Sequence, residues 1–193
     1  GVINNLDRVK VGNLFPTVTG GFSTTLGYKD FSLYARFDYA LGHTLYNDLA
    51  ARSLGQYQGS FNIIDMVKDS WSETNQNTDI PKFYYADQLS KKNITRSNNG
   101  LTAVDNNSSR FYEKGDYLAL REITLTWNLP KKWINKALMS NASVYVTGQN
   151  LFYITGYTGV SPEPAVDTTY GQGLDNGRYP TPKTVLLGLS VTF

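Results

Sequence analysis

Cysteine is absent from the 193 residues, and histidine occurs once, as His43. These gaps exclude disulfides, thiolate metal sites and cysteine nucleophiles, and leave little material for a histidine-based catalytic or metal constellation. No cofactor is expected. A surplus of one charge sign is also lacking: 18 Lys and Arg stand against 16 Asp and Glu, a net charge of +2. That is too near balance for a nucleic-acid partner or a polybasic membrane surface, so Lys91-Lys92 and Lys131-Lys132 read as solvated loop charges. No run of about eighteen apolar residues occurs, which excludes a spanning helix. It leaves open a spanning barrel, whose strands need only about 9 to 11 residues and alternate apolar with polar. The opening GVINN has neither an initiator methionine nor a signal-peptide pattern, so a mature or trimmed segment is expected.

What the chain does have is aromatic side chains, 13% of residues and mostly tyrosine, together with period-two alternation in five segments. In VTGGFSTTLGY, Val18, Phe22, Leu26 and Tyr28 share one face, with Thr19, Ser23 and Thr25 on the other. FSLYARFDYAL sets Phe31, Leu33, Ala35, Phe37, Tyr39 and Leu41 against Ser32, Tyr34, Arg36 and Asp38, and the short junction before it predicts a hairpin. YLALREITLTWNL sets Ile123, Leu125, Trp127 and Leu129 against Glu122, Thr124, Thr126 and Asn128. Leu118 and Leu120 fall on the wrong parity, so either a bulge lies near Arg121-Glu122 or that end projects beyond the buried band. NASVYVTGQNLFY and the closing VLLGLSVTF supply the fourth and fifth segments.

Short links follow strands one and three, and long ones follow strands two and four, about Gly42 to Asp116 and Thr155 to Pro182. Loops beyond about 12 to 15 residues are uncommon inside compact domains, whereas short turns at one end and long loops at the other characterise outer-membrane barrels. By that rule the fifth strand runs toward the periplasm. FNIIDMVKDSWSETN places Ile63, Ile64, Met66, Val67 and Trp71 mostly on one stripe, predicting a short amphipathic helix in the long loop. TDIPKFYY should run extended after it.

A soluble β-sandwich, with carbohydrate binding as its function, is the alternative to a barrel. The Thr-, Ser-, Tyr-, Gly- and Asn-rich polar faces, poor in Lys and Glu, favour a wet lumen over a soluble surface. Tyr28, Phe31, Tyr39, Trp127, Trp133 and Phe193, near strand ends, are candidates for interfacial girdles. Carboxylate pairs such as Asp116 with Glu122, or Glu163 with Asp167, are the material for a glycosidase, but no spacing rule singles them out. The Gly171, Gly173 and Gly177 cluster has no GK[ST] and reads as turn-forming.

The runs GDYLALREITLTWNLPKKWINKA, SVYVTGQNLFYITGYTGVSPEP and YPTPKTVLLGLSVTF resemble the C-terminal part of the SusC/RagA family of TonB-dependent outer-membrane transporters. FPTVTGGFSTTLGYKDFSLYARFDYALGHTLYN and NTDIPKFYY resemble the same family in the same order, and only Ile94 to Ser109 stands outside the likeness.

The resemblance implies an all-β fold, an antiparallel transmembrane β-barrel of about twenty-two strands around an N-terminal plug, of which residues 1–193 supply about the last five. It implies a non-enzymatic function in the bacterial outer membrane: TonB-dependent uptake of an oligosaccharide or peptide, with a SusD-like surface lipoprotein as lid. TonB-ExbB-ExbD, the remainder of the barrel and plug, outer-membrane lipid and a dimer of transporter–lipoprotein pairs complete the implied partners. Leu187, Leu189, Val191 and Phe193 become the barrel-assembly signal, and the last strand pairs with the first of the barrel. Candidate substrate contacts, aromatic faces beside polar groups, are Trp71, Asp79, Tyr84 and Tyr85 in the loop and Tyr34, Arg36 and Asp38 on the proposed lumen wall, with Tyr145 and Gln149 on that wall too.

Overall fold

The computed structural model describes residues 9–51, 53, 65–80, 82–83, 109–163, 173–177 and 179–193. Among them the elements are β1 (Val18–Tyr28), β2 (Phe31–Leu41), β3 (Thr44–Asn47), α1 (Asp48–Ala51), β4 (Tyr112–Lys114), β5 (Tyr117–Asn128), α2 (Lys131–Ile134), β6 (Asn141–Thr155), β7 (Leu174–Asp175) and β8 (Thr184–Thr192). No helix among the described residues is long and apolar enough to cross a membrane. The chain divides into two compact units, one of Pro16–Gly42, Gly115–Gly156 and Tyr179–Phe193, the other of Gly1–Phe15, His43–Lys114 and Tyr157–Arg178.

The first unit is a five-stranded meander in the order β1-β2-β5-β6-β8, antiparallel at every step. These are the five segments that the alternation marks out. Register locks the faces together: Phe22 lies opposite Phe37, Leu33 opposite Leu125, Leu125 opposite Val146 and Val146 opposite Leu187. A one-residue slip on any strand would turn its whole apolar set over. The expected bulge is present. Arg36 pairs with Glu122 and Phe37 with Leu120, so Arg121 is the extra residue, and the shift returns Leu118 and Leu120 to the apolar face. β6 adds a further residue there, since Glu122 faces Gln149 while Leu120 faces Phe152. Asn150, in that gap, takes φ 52°, a left-handed conformation that asparagine tolerates.

Among the described residues the apolar face leaves large side chains exposed, unlike the inner face of a sandwich. Phe22, Leu125, Leu189 and Leu187 are 53%, 44%, 65% and 80% exposed, and the buried strand residues are mainly small ones such as Ala35, Ala40, Ala119 and Ala142. Asp30 and Lys29 close β1 to β2 in two residues, with Lys29 at φ 53°. The link from β5 to β6 is compact: α2 passes into a 3₁₀ turn, Asn135–Ala137, which Leu138 ends at φ 58°. Aromatics crowd this end, Phe31 stacked on Trp127 at 6.1 Å and Trp127 edge-on to Trp133 at 5.9 Å.

The second unit draws on both long connections. β3 pairs antiparallel with β4 and parallel with β7, so the stretch after β2 and the stretch after β6 share one small sheet. Its core is Tyr46, Ala51, Val67, Ile80 and Phe111, flanked by Tyr112 and Leu174. Tyr46 sits 4.8 Å from Tyr112 and 6.4 Å from Phe111 between ring centroids. The predicted amphipathic helix is corrected here: its described part is a five-residue 3₁₀ helix, Asp65–Asp69. It buries Val67, leaves Met66 half exposed and stops before Trp71. Ile63 and Ile64 lie outside the described residues, as does most of TDIPKFYY beyond Ile80. Gly173 and Gly177 take φ 77° and 80°, turn conformations that side chains resist, whereas Gly171 lies outside the described residues.

Candidate functional site

Period-two geometry sends Tyr34, Arg36 and Asp38 of β2 to the polar face of the sheet, where Thr124 and Glu122 of β5 stand opposite Tyr34 and Arg36. Tyr145, Thr147 and Gln149 of β6 extend the same face through their pairing with Thr126, Thr124 and Glu122. The bulge adds a residue that the alternation did not mark. Arg121 Nε donates to Asp38 Oδ2 at 2.5 Å, and its Nη1 donates to the Tyr153 hydroxyl at 3.2 Å. Its guanidinium also lies 5.7 Å from the centre of the Tyr153 ring, and Tyr117 meets that ring edge-on at 5.7 Å.

Farther along β5, the Thr124 and Thr147 hydroxyls meet at 2.7 Å and Thr124 Oγ1 donates to Glu122 Oε1 at 3.3 Å. The face therefore offers hydroxyl, phenol and amide groups around charges that cancel, Arg36 and Arg121 against Asp38 and Glu122. Such a surface can hydrate a cavity and bind polar solutes without fixing an ion. The side chain of Tyr145 folds over Gly188 directly across the ladder, where a Cβ would stand 2.2 Å from the ring. A side chain there would push the tip of the Tyr145 ring aside.

In the second unit, Asp79 is held by Arg110, whose Nη1 donates to the Asp79 carbonyl at 2.6 Å and whose Nη2 reaches Oδ2 at 3.2 Å. The Asp79 carboxylate is largely exposed, so the ion pair adds little stability and mainly orients the segment. Trp71 is about one-third exposed, its backbone N–H donates to the Ile80 carbonyl at 2.8 Å, and Lys82 Nζ stands 5.6 Å from its ring. Tyr84 and Tyr85 lie outside the described residues. Tyr34, Arg36 and Asp38 are thus brought together on one face, while Trp71 and Asp79 belong to the other unit.

Two carboxylates that sequence reasoning missed tie the second unit together. Glu113 Oε1 accepts from Asn47 Nδ2 at 3.1 Å and from Thr158 Oγ1 at 2.8 Å, while Oε2 accepts from the Thr158 N–H at 2.8 Å. Asp175 Oδ2 accepts from the Tyr157 hydroxyl at 2.8 Å and the Val160 N–H at 3.0 Å, and Oδ1 from the Gly177 N–H at 3.0 Å. Burial, then the hydrogen bond to Asp175, pushes the Tyr157 phenol well above its ordinary value. His43, 1% exposed, places Nε2 3.0 Å from the Pro162 carbonyl, a structural use of the single histidine. Among the described residues no group of three or more His, Asp or Glu could hold a metal ion.

No protein-family model matches the sequence. Individual relatives do. TonB-dependent receptors P3 and P26 of Formosa agariphila are 31% and 32% identical across the whole chain, which covers 18% of each. The TonB-dependent receptor SusC of Bacteroides thetaiotaomicron is 33% identical over 45% of the chain and 8% of its own length. The solved RagAB peptide transporter superposes on 93% of the chain, and on 17% of its own, with a TM-score of 0.71 at 25% identity. These matches place the sequence among TonB-dependent receptors of the SusC and RagA kind, as a C-terminal stretch of such a receptor. The chain spans under a fifth of the relatives it matches.

Proposed function

We propose that residues 1–193 are the C-terminal segment of the β-barrel of an outer-membrane nutrient importer energised through TonB, ExbB and ExbD. The observation that carries this reading is the apolar face shared by five strands, free of Asp, Glu, Lys and Arg from Phe22 across to Leu187 and exposed, with a polar hydrogen-bonded face behind it. An apolar patch of that size marks a surface that meets another apolar phase. In a barrel that phase is lipid, and the polar face lines water. The remaining strands, about seventeen in a twenty-two-stranded barrel, would pair with the free edges of β1 and β8 and enclose a plug.

In that reading the second unit is the outer loops, held as one piece by β3, β7, Glu113 and Asp175, and it forms the seat for a SusD-like lipoprotein lid. Leu187, Leu189, Val191 and Phe193, along and just after β8, form the assembly signal. Tyr34, Arg36 and Asp38 on the wall, with Trp71, Asp79, Tyr84 and Tyr85 in the loops, are the proposed ligand contacts. The cargo class is oligosaccharide or peptide, the second being what the RagAB importer is named for.

The test is uptake by cells that express the whole receptor with its neighbouring lipoprotein, using labelled oligosaccharides and peptides. The proposal requires the protein in the outer-membrane fraction and uptake that an uncoupler abolishes. Recovery in the aqueous fraction, or uptake indifferent to the uncoupler, would overturn it.

A further inference from the structure

The β1–β2 turn, the β5–β6 link and the end of β8 all lie at one end of the five-stranded sheet. Tyr28 pairs with Phe31, Phe31 with Trp127, and Asn141 with Thr192. Lys29, Lys131, Lys132 and Lys136 are exposed there, against one acid, Asp30. Elsewhere in this unit the charges cancel: Arg36 and Arg121 against Asp38 and Glu122, and Lys183 against Asp116. The positive surplus of the unit is therefore confined to its turn end.

The same end carries the aromatic group. Trp133, half exposed, meets Trp127 edge-on, and Trp127 stacks on Phe31 at the margin of the apolar face. Lys29 Nζ stands 5.3 Å from the ring centre of Tyr28. Tryptophan and tyrosine settle at the headgroup level of a bilayer, and lysines just beyond them extend their apolar stems along that surface with the ammonium outward. Lys131 Nζ gives one N–H to the Ser140 carbonyl at 2.9 Å, and an ammonium has three.

We propose that this end of the sheet docks on anionic phospholipid headgroups, with the four lysines pairing with phosphates while Tyr28, Trp127 and Trp133 sit at the adjoining interfacial level. The proposal rests on the barrel reading. Charge complementarity chooses the lipid class, and the continuity of the aromatic group with the exposed apolar face chooses a membrane over an acidic protein.

The experiment uses the whole receptor in vesicles that contain spin-labelled phosphatidylglycerol or phosphatidylcholine, reading the immobilised fraction of each lipid. The parent should hold phosphatidylglycerol at least twofold over phosphatidylcholine. That ratio should fall toward one in high salt, and in the variant K29Q/K131Q/K132Q/K136Q. The control variant K68Q/K82Q/K114Q should keep the parent's ratio. Equal ratios in the parent and the four-lysine variant, or a loss confined to the control, would overturn the proposal and leave the barrel intact. Absence of any immobilised lipid would instead remove the barrel reading itself.

Discussion

Arg121 Nε donates to Asp38 Oδ2 at 2.5 Å, and Arg121 is the one residue inside β5, its last residue aside, that has no partner in the register with β2. The residue that interrupts the alternation is thus the one that bridges the two strands on the polar side. The bulge does two things at once: it returns Leu118 and Leu120 to the apolar face and delivers a guanidinium to Asp38 and Tyr153.

Substituting Arg121→Ala should leave Asp38 without this charged donor. Hydrogen bonds to charged groups contribute up to about 3 kcal/mol, and the partial exposure of Asp38 reduces that to about 1 to 2 kcal/mol. The measurement is the unfolding midpoint of the whole receptor, with Asp38→Asn and the double variant completing a cycle. Strictly additive effects would show that the pair is not coupled.

Glu113 connects Asn47, before α1, to Thr158, after β6, and Ala in its place would take the carboxylate acceptor from the Thr158 N–H and hydroxyl, while Asn47 Nδ2 keeps its bond to Thr158 Oγ1. Glu113→Ala should speed amide exchange at Thr158 by about tenfold, the equivalent of a hydrogen bond's loss, with the amides of β5 unchanged. A uniform rise across the receptor would contradict a local tie.

The Tyr157 phenol is raised above its ordinary value of 10.0. A raised value means that the folded unit holds this proton more tightly than the unfolded chain. Its contribution is therefore complete below pH 10.0 and is lost progressively as pH rises beyond it. Alkaline difference spectra of the parent and of Tyr157→Phe should superpose through pH 10, with no phenolate signal assigned to Tyr157. A clear extra phenolate in the parent near pH 10 would refute the buried hydrogen bond to Asp175.

Removing the Phe193 ring, as Phe193→Ala, should lower the amount of assembled receptor in the outer membrane several-fold, read as the heat-modifiable band on gels, while synthesis continues unchanged. Undiminished assembly would take Phe193 out of the proposed signal.

The five long strands were legible to within one or two residues, because 9 to 15 alternating positions carry a clear period. The bulge was legible as a break in parity at Leu118 and Leu120. Its chemical consequence was not, since the direction of an unpaired Arg121 depends on backbone geometry that no spacing encodes. β3, β4 and β7 span four, three and two residues, too short for any period to show. Their cohesion comes from Glu113, Asp175 and Tyr46, which meet partners far along the chain. The helix expected after residue 60 is, in its described part, a five-residue 3₁₀ helix, and Val67 alone of the described stripe residues is buried, in a core built with Tyr46 and Phe111 that no local spacing reveals. Tyr34, Arg36 and Asp38 fall on one face as their spacing requires, whereas Trp71 and Asp79 stand out in the sequence by residue type alone.

In the proposed barrel, alternate side chains of these strands meet lipid and water. Single nitroxide labels at positions 123 to 127 of β5, in the whole receptor within a bilayer, test it directly, because neighbouring residues differ only in which face they occupy. Labels at Ile123, Leu125 and Trp127 should collide with oxygen and those at Thr124 and Thr126 with a water-soluble nickel complex, alternating at every residue, and Leu125→Lys should cost about 2 to 4 kcal/mol while Thr124→Lys costs far less. Equal accessibility at adjacent positions, or shielding of 125 from both reagents, would contradict it.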